Sequence, residues 1–397
     1  MATRYLIIGG GLAGAAAIDG IRERDPEGPI TLLAAESDLP YDRPPLTKKL
    51  WTGAEAVEQV TLHPAEYYRE HGVDLQLGRR AAALDPRGKL VRDDRGREHG
   101  YDRLLLATGG TPRRLEIPGA DLPGIVYYRT LADYRRVRAL AAPGKTAVVI
   151  GGGFIGSEMA AALAVNGVEV TMIFPEDYLV RRVFPAGLGR ALNAAYQAKG
   201  VRLITGDLPA AIAARGEGFR LQTRGGKALD ADILVVGVGI TPSIELAQQA
   251  GLGVGNGVIV NARLETSDAN IFAAGDLAYF PEAVLGPRRI EHWDNAVTQG
   301  RHAGRNMAGA REAFTALPFF YSDLFEFGYE AVGEVDSRLE VFADWQEENK
   351  TGVLYYLAQG RVRGAMMCNV WDKVEAARAL IRAQEPAMPE RLRGAIQ

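Results

Sequence analysis

Gly9, Gly11 and Gly14 fall in the spacing G-x-G-x-x-G, directly after a short apolar run and at the start of an alanine-rich stretch. Gly151, Gly153 and Gly156 repeat that spacing near the middle of the chain, with Phe154 and Ile155 inside the turn. In such a turn the first glycine makes the bend, the second lets backbone approach a pyrophosphate, and the third lets a helix pack close on its strand. The phosphates then meet the free N–H groups and the positive end of the helix. Two copies in one chain predict two bound dinucleotides. An acid at the end of the following strand accepts hydrogen bonds from a ribose, and Glu36 and Glu176 stand at those places. A carboxylate at Glu176 favours NADH over NADPH, because two unit charges about 4 Å apart repel by roughly 4 kcal/mol at an effective dielectric of 20. Arg181 and Arg182 lie close enough in sequence to offset part of that repulsion.

A second repeat is independent of the glycine turns and shows what must position them. Asp102, Leu104, Gly109, Thr111 and Pro112 recur at identical offsets as Asp232, Leu234, Gly239, Thr241 and Pro242, the mark of two copies of one architecture. The apolar periodicity predicts a strand over 4–8, a helix over 12–24 and a strand over 30–35, then the same series over 146–150, 154–166 and 169–174. Alternating runs over 73–101 and 201–231 predict a small antiparallel insert in each copy. Beyond Pro318 the alternation predicts a small antiparallel sheet followed by a helix over 372–384. The expected fold class is α/β, with two Rossmann-like dinucleotide-binding domains and a C-terminal α+β domain. The expected boundaries are 1–115 with 243–315 for the first, discontinuous domain, 116–242 for the second and 316–397 for the third.

Composition narrows the function by exclusion. The chain is 47% hydrophobic and 24% charged with a net charge of −3, which gives no reason to expect nucleic acid or an anionic membrane as main partner. No apolar run approaches the roughly 20 residues of a membrane span, and a first strand at residue 4 leaves no room for a signal peptide; the expected location is the cytoplasm. The single cysteine, Cys368, excludes an internal disulfide, a C-x-x-C redox pair and a thiolate zinc site, and five scattered histidines suggest no metal centre. In the stretch Tyr41 to Leu50, Pro44 and Pro45 are expected to bar a helix across their own positions and to hold Arg43 and Lys48 in a defined loop. Lys48 taken alone reads as a solvated lysine. Asp276 ends an apolar strand, where it is expected beside a ligand over the strand's carboxyl end and equally as the cap of a helix, two compatible roles.

Several of these stretches resemble the flavoprotein family of oxygenase-coupled ferredoxin reductases and apoptosis-inducing factors. Tyr-Asp-Arg-Pro-Pro-Leu-Thr-Lys at 41–48 is similar to the family's Arg-Pro-Pro-Leu-Ser-Lys, and Ala107-Thr108-Gly109 with Arg113, Gly275-Asp276 and Glu291-His292-Trp293 also match. The resemblance implies a glutathione-reductase-like fold with FAD on the first unit and a nicotinamide nucleotide on the second. It implies that Gly9, Gly11, Gly14, Glu36 and Arg113 hold the ADP part of FAD, with Ala81 near the adenine. Arg43, Lys48, Asp276 and Trp293 would approach the flavin, and Lys48 with Glu158 would form the catalytic pair. Glu291 and His292 would lie near the nicotinamide, with Gly239 also among the nucleotide contacts. Tyr321 stands where the family has a tryptophan near the flavin. The implied activity is hydride transfer from NADH to FAD and onward passage of electrons to a ferredoxin-like carrier, by a monomer or homodimer. The alternatives are an apoptosis-inducing-factor-like protein with slow NADH oxidation, toward which Phe174-Pro175-Glu176 and 329–333 lean, and an NADH:quinone reductase. The disulfide-reductase branch would carry a cysteine pair near residue 45, and none is present.

Overall fold

A computed structural model describes residues 2–396. The chain forms two compact units: one of the stretch up to Arg43 with Ala56–Thr111 and Thr241–Pro318, the other of Pro44–Glu55, Pro112–Ile240 and the chain from Phe319 onward. The first unit is built on a parallel sheet in the order Ile271–Ala273, Arg103–Leu106, Tyr5–Ile8, Ile30–Ala34, Val73–Leu77. Its middle strands are apolar on both faces, as a sheet covered on both sides requires. The helix Leu12–Arg22 returns across it, and its small residues let the helix Trp293–Met307 approach at backbone distance. A Cβ on Gly300 would lie 2.2 Å from the Ala13 carbonyl oxygen, and one on Gly304 2.2 Å from that of Ala17.

The second unit repeats the plan in the order Arg202–Thr205, Glu169–Phe174, Thr146–Ile150, Ile233–Val236, Val126–Tyr127, again all parallel. The repeated aspartates have one job in both copies. Asp102 accepts the backbone N–H of Arg4 at 2.9 Å, and Asp232 that of Thr146 at 2.8 Å, so each pins the strand that leads into its glycine turn to the neighbouring strand, Arg103–Leu106 or Ile233–Val236. The units differ in the fifth strand, drawn from late in the chain in the first and from before the glycine turn in the second. The second unit also holds an antiparallel sheet ordered Phe319–Leu324, Phe327–Gly333, Arg361–Cys368, Thr351–Ala358, Glu340–Glu347, on which the helix Val374–Ala383 packs. Cys368 lies in its core. Among the described residues no helix is long and apolar enough to cross a membrane.

Three expectations are corrected. Val73–Leu77 and Arg202–Thr205 are not the first strands of the antiparallel inserts but parallel edge strands of the two main sheets. An edge strand is only half covered, so it alternates as an antiparallel strand does. The inserts are the three-stranded sheets 81–100 and 209–231. Pro44 and Pro45 do not exclude a helix: Pro44–Thr47 is a 3₁₀ turn, because prolines fit a first turn, whose N–H groups have no internal partner. Asp276 lies within the 3₁₀ turn Gly275–Leu277, and Ala274 takes the cap position.

The first insert supplies a test of folding. Asp93, fully buried, accepts the backbone N–H of Arg95 and of Arg97 at 2.9 Å each, with His99 at 3.2 Å and Arg79 at 3.3 Å. Burial opposes its charge, yet the bond from His99, the two backbone donors and the Arg79 charge outweigh it and hold the carboxyl at about 2. A carboxyl depressed on folding contributes stability above its unfolded value, about 3.9, and that contribution is lost as pH falls toward the folded value. Asp93→Asn is expected to flatten the fall in thermal stability between those two values, as measured by denaturation across a pH series.

Candidate active site

Each glycine turn places its backbone in the same way. Gly9 has φ +120° and Gly151 φ +117°, where a side chain would be strained and a Cβ would strike the carbonyl oxygen of Ala107 at 2.1 Å or of Gly237 at 2.4 Å. A Cβ on Gly14 would meet the Gly9 carbonyl oxygen at 1.9 Å, and one on Gly156 that of Gly151 at 2.0 Å. The middle glycines differ: a Cβ on Gly11 or Gly153 meets nothing within 4 Å. Both are extended N-cap residues with no side-chain cap, so the first turns of Leu12–Arg22 and Phe154–Val165 keep backbone N–H groups for an incoming anion.

In the first unit, the Glu36 carboxylate accepts the Tyr41 hydroxyl at 2.5 Å and the Arg43 guanidinium at 2.6 Å. Burial works against the Arg43 charge, but Tyr41, Glu36 and Asp276 together raise its pKa above the usual arginine value. Asp276 also acts on His292, whose imidazole burial nevertheless pushes down to about 4. His292 is therefore neutral at pH 7 and stands at the N-cap of Trp293–Met307. Trp293 donates its indole N–H to Asp42 at 2.7 Å, and Glu291 pairs with Arg289 at 2.6 Å. The positive φ of Gly275, +76°, brings it against Ala13 of the first turn's helix. Ala107 follows the strand beside Gly9, Thr108 donates to the Ser243 carbonyl at 2.9 Å, Gly109 accepts the N–H of Ser243 at 3.0 Å, and Ala81 opens the first insert.

In the second unit, Lys48 and Glu158 meet. Their charged atoms lie 2.6 Å apart with side chains 12% and 6% exposed. Glu158 comes from the helix that opens at the second glycine turn, and Lys48 from the excursion Pro44–Glu55. That excursion is anchored by Trp51, which donates to the Leu46 carbonyl at 2.8 Å and accepts Asn166 on its own carbonyl at 3.0 Å. Tyr128 and Tyr134 bond the Leu46 and Leu50 carbonyls. Lys48 is thus no solvated lysine. Sequence reasoning missed two further partners of Glu158: Thr47, donating at 2.5 Å, and Ser322. Thr47 adjoins Lys48 in the motif and was findable; Ser322 carried no signal of its own. The Tyr321 ring lies 5.6 Å from Lys48 Nζ, and Phe154 packs edge-on to Phe320. Ile155 is exposed at the turn. The backbone of Arg113 bonds Gly239 at 2.9 Å and its side chain the Ile240 carbonyl at 3.2 Å, which places both with the second unit. Glu176 is half-buried beyond Phe174, while the neighbouring Arg181 pairs with Asp177 and lies over Tyr178.

Residues 3–300 match the pyridine nucleotide-disulphide oxidoreductase profile. The chain belongs to that family. A second profile, the C-terminal segment of mitochondrion-associated apoptosis-inducing factor, matches residues 303–351. The ferredoxin--NAD(+) reductase component of the anthranilate 1,2-dioxygenase system of Burkholderia cepacia is 35% identical over 392 residues, 98% of this chain and 96% of that protein. Apoptosis-inducing factor 1, mitochondrial, of Dictyostelium discoideum is 34% identical over 424 residues, 95% of this chain and 78% of that one. Among solved structures, the covalent putidaredoxin reductase–putidaredoxin complex superposes with a TM-score of 0.92 at 29% identity, over 98% of this chain and 95% of that chain.

As a pyridine nucleotide-disulphide oxidoreductase the protein is an enzyme whose cofactors are FAD and NADH. The two cradles fit such groups, since each leaves open the space that a Cβ at its middle glycine would enter. The dithiol of the family name has no counterpart here: burial pushes the thiol of Cys368, the sole cysteine, well up, away from the reactive thiolate. The cradle geometry separates two substitutions. Gly153→Ala is expected to leave thermal stability unchanged but to weaken NADH binding by roughly tenfold, about 1.4 kcal/mol. Gly156→Ala is expected to lower the melting temperature as well, because its Cβ strikes backbone. Calorimetry and a nucleotide titration check both.

Proposed function

We propose that the protein oxidises NADH on bound FAD and delivers the electrons to a small ferredoxin-like carrier. The observation that carries this reading is the doubled cradle in a chain whose single cysteine is buried: two dinucleotides are held, and no dithiol is available as a relay. The acceptor is supported by relatives that are named as ferredoxin--NAD(+) reductase or solved with putidaredoxin. FAD, when bound, takes a hydride from the reduced nicotinamide and gives up its electrons singly.

The residues have separate tasks. Gly9, Gly11, Gly14 and Glu36, with Ala81, Ala107, Thr108 and Gly109, hold FAD on the domain 1–115 with 243–315, whereas Arg113 belongs to the second unit. Gly151, Gly153, Phe154, Ile155, Gly156 and Gly239 orient the nicotinamide nucleotide on the domain 116–242, and orientation by itself removes much of the entropic barrier. Glu176 selects NADH by repelling a 2′-phosphate; Arg181 does little to offset it, being paired with Asp177. Arg43, Asp276 and Trp293 approach the flavin, and Glu291 and the neutral His292 approach the nicotinamide. Lys48, kept in place by Glu158, is the proposed catalytic charge of the second unit, and Tyr321 on the domain 316–397 lies against it. The proposed location is the cytoplasm, where NADH is available.

The match of residues 303–351 to the apoptosis-inducing-factor segment favours a second reading, a redox-controlled interaction protein that turns over slowly. Anaerobic stopped-flow reduction by NADH, followed by an added ferredoxin, separates the two. Rapid reoxidation supports the reductase; a long-lived reduced complex with a changed oligomeric state supports the switch. In the same experiment Lys48→Met is expected to slow reduction. It strands the Glu158 charge, at a cost of about 3–5 kcal/mol in unfolding free energy. A rate and a stability both equal to wild type would return Lys48 to a spectator.

A further inference from the structure

We infer that Ser322 is a positioning residue for the Lys48–Glu158 pair, reaching it from the C-terminal sheet; the inference rests on the reading of that pair as part of the reduction site. Ser322 lies on the edge strand Phe319–Leu324 and is 1% exposed. Its hydroxyl donates to Glu158 Oε1, the same oxygen that Lys48 Nζ holds at 2.6 Å, while Thr47 donates to Oε2 at 2.5 Å. A buried carboxylate keeps its charge at tolerable cost only when donors meet its lone pairs. Two of the three donors come from the Pro44–Glu55 excursion, and Ser322 supplies the third from a different part of the fold.

The neighbouring residue strengthens the case. Successive strand residues point to opposite faces, yet the ring of Tyr321 lies 5.6 Å from Lys48 Nζ while Ser322 bonds Glu158. An edge strand is open on one side, so residues of both its faces can reach one ion pair. The strand therefore touches each member of the pair, Tyr321 at the ammonium and Ser322 at the carboxylate. Without the Ser322 hydroxyl, Oε1 has Lys48 alone and the carboxylate keeps only the two donors of the excursion, Lys48 and Thr47, so the ammonium is held less firmly in place.

The test uses the FAD-loaded full chain. Ser322→Ala is expected to lower the limiting rate of reduction by NADH on the order of tenfold, as for one lost hydrogen bond to a charged group, with the NADH dissociation constant unchanged. Because the hydroxyl acts through Glu158, the same substitution in a Glu158→Gln background is expected to change the rate much less. Acetylation of Lys48, followed by peptide mass mapping, is expected to quicken in Ser322→Ala, and Ser322→Thr is expected to restore both quantities. Should the alanine chain fail to fold, Ser322→Cys, close in volume and a weak donor, reports the same two quantities. A loss of rate that persists in full in the Glu158→Gln background, or a rate and acetylation equal to wild type, overturns the inference. A wild-type chain that NADH does not reduce overturns instead the reading of the reduction site, and Lys48 acetylation then still decides whether Ser322 holds the pair.

Discussion

A lysine ammonium and a glutamate carboxylate, 2.6 Å apart and nearly closed to solvent, set the hardest condition that this chain has to satisfy. Neither charge survives burial alone, and Coulomb attraction repays the loss of hydration only where further hydrogen bonds complete the geometry. The second unit meets this condition from several directions. A helix that begins at a glycine turn brings Glu158. The excursion Pro44–Glu55 brings Thr47 and Lys48, and an edge strand of the last sheet brings Ser322. The excursion is seated by Tyr128, Tyr134 and Asn166 through bonds to its main chain, so its course does not depend on the ion pair alone.

The glycine cradles depend on backbone rather than on side-chain charge. Their selectivity for phosphate comes from N–H groups at the start of a helix and from the absence of a Cβ where the anion must approach. The aspartates just before Arg103–Leu106 and Ile233–Val236 serve this arrangement at a distance. By holding the strand before each glycine turn in register they fix where that turn emerges. Glycine turn and aspartate recur together because they work on the same strand.

Features set by local periodicity could be read from the residues: both glycine turns, the strands around them and the duplicated closing segment with Asp102 and Asp232. Features set by what packs alongside could not. Val73–Leu77 and Arg202–Thr205 alternate because one side of each is uncovered, a condition that parallel edge strands share with antiparallel ones. The Pro44–Thr47 turn escaped a rule about prolines that applies to helix interiors. The partnership of Lys48 with Glu158 was available through family resemblance alone, since 110 residues separate them. Ser322 was silent, because a serine in a strand looks the same whether its hydroxyl meets water or a buried carboxylate. The neutral His292 was equally hidden, as its state depends on burial and on Asp276 rather than on its neighbours in sequence.

In the proposed reaction, electrons pass between two nucleotides held by one chain with no sulfur taking part. Anaerobic reduction of FAD-loaded Cys368→Ala with NADH, measured per bound flavin, decides whether they do. The wild-type rate is expected, because Cys368 lies in the core of the C-terminal sheet and takes no part in the proposed chemistry. A flavin that stays oxidised once that thiol is gone would contradict it.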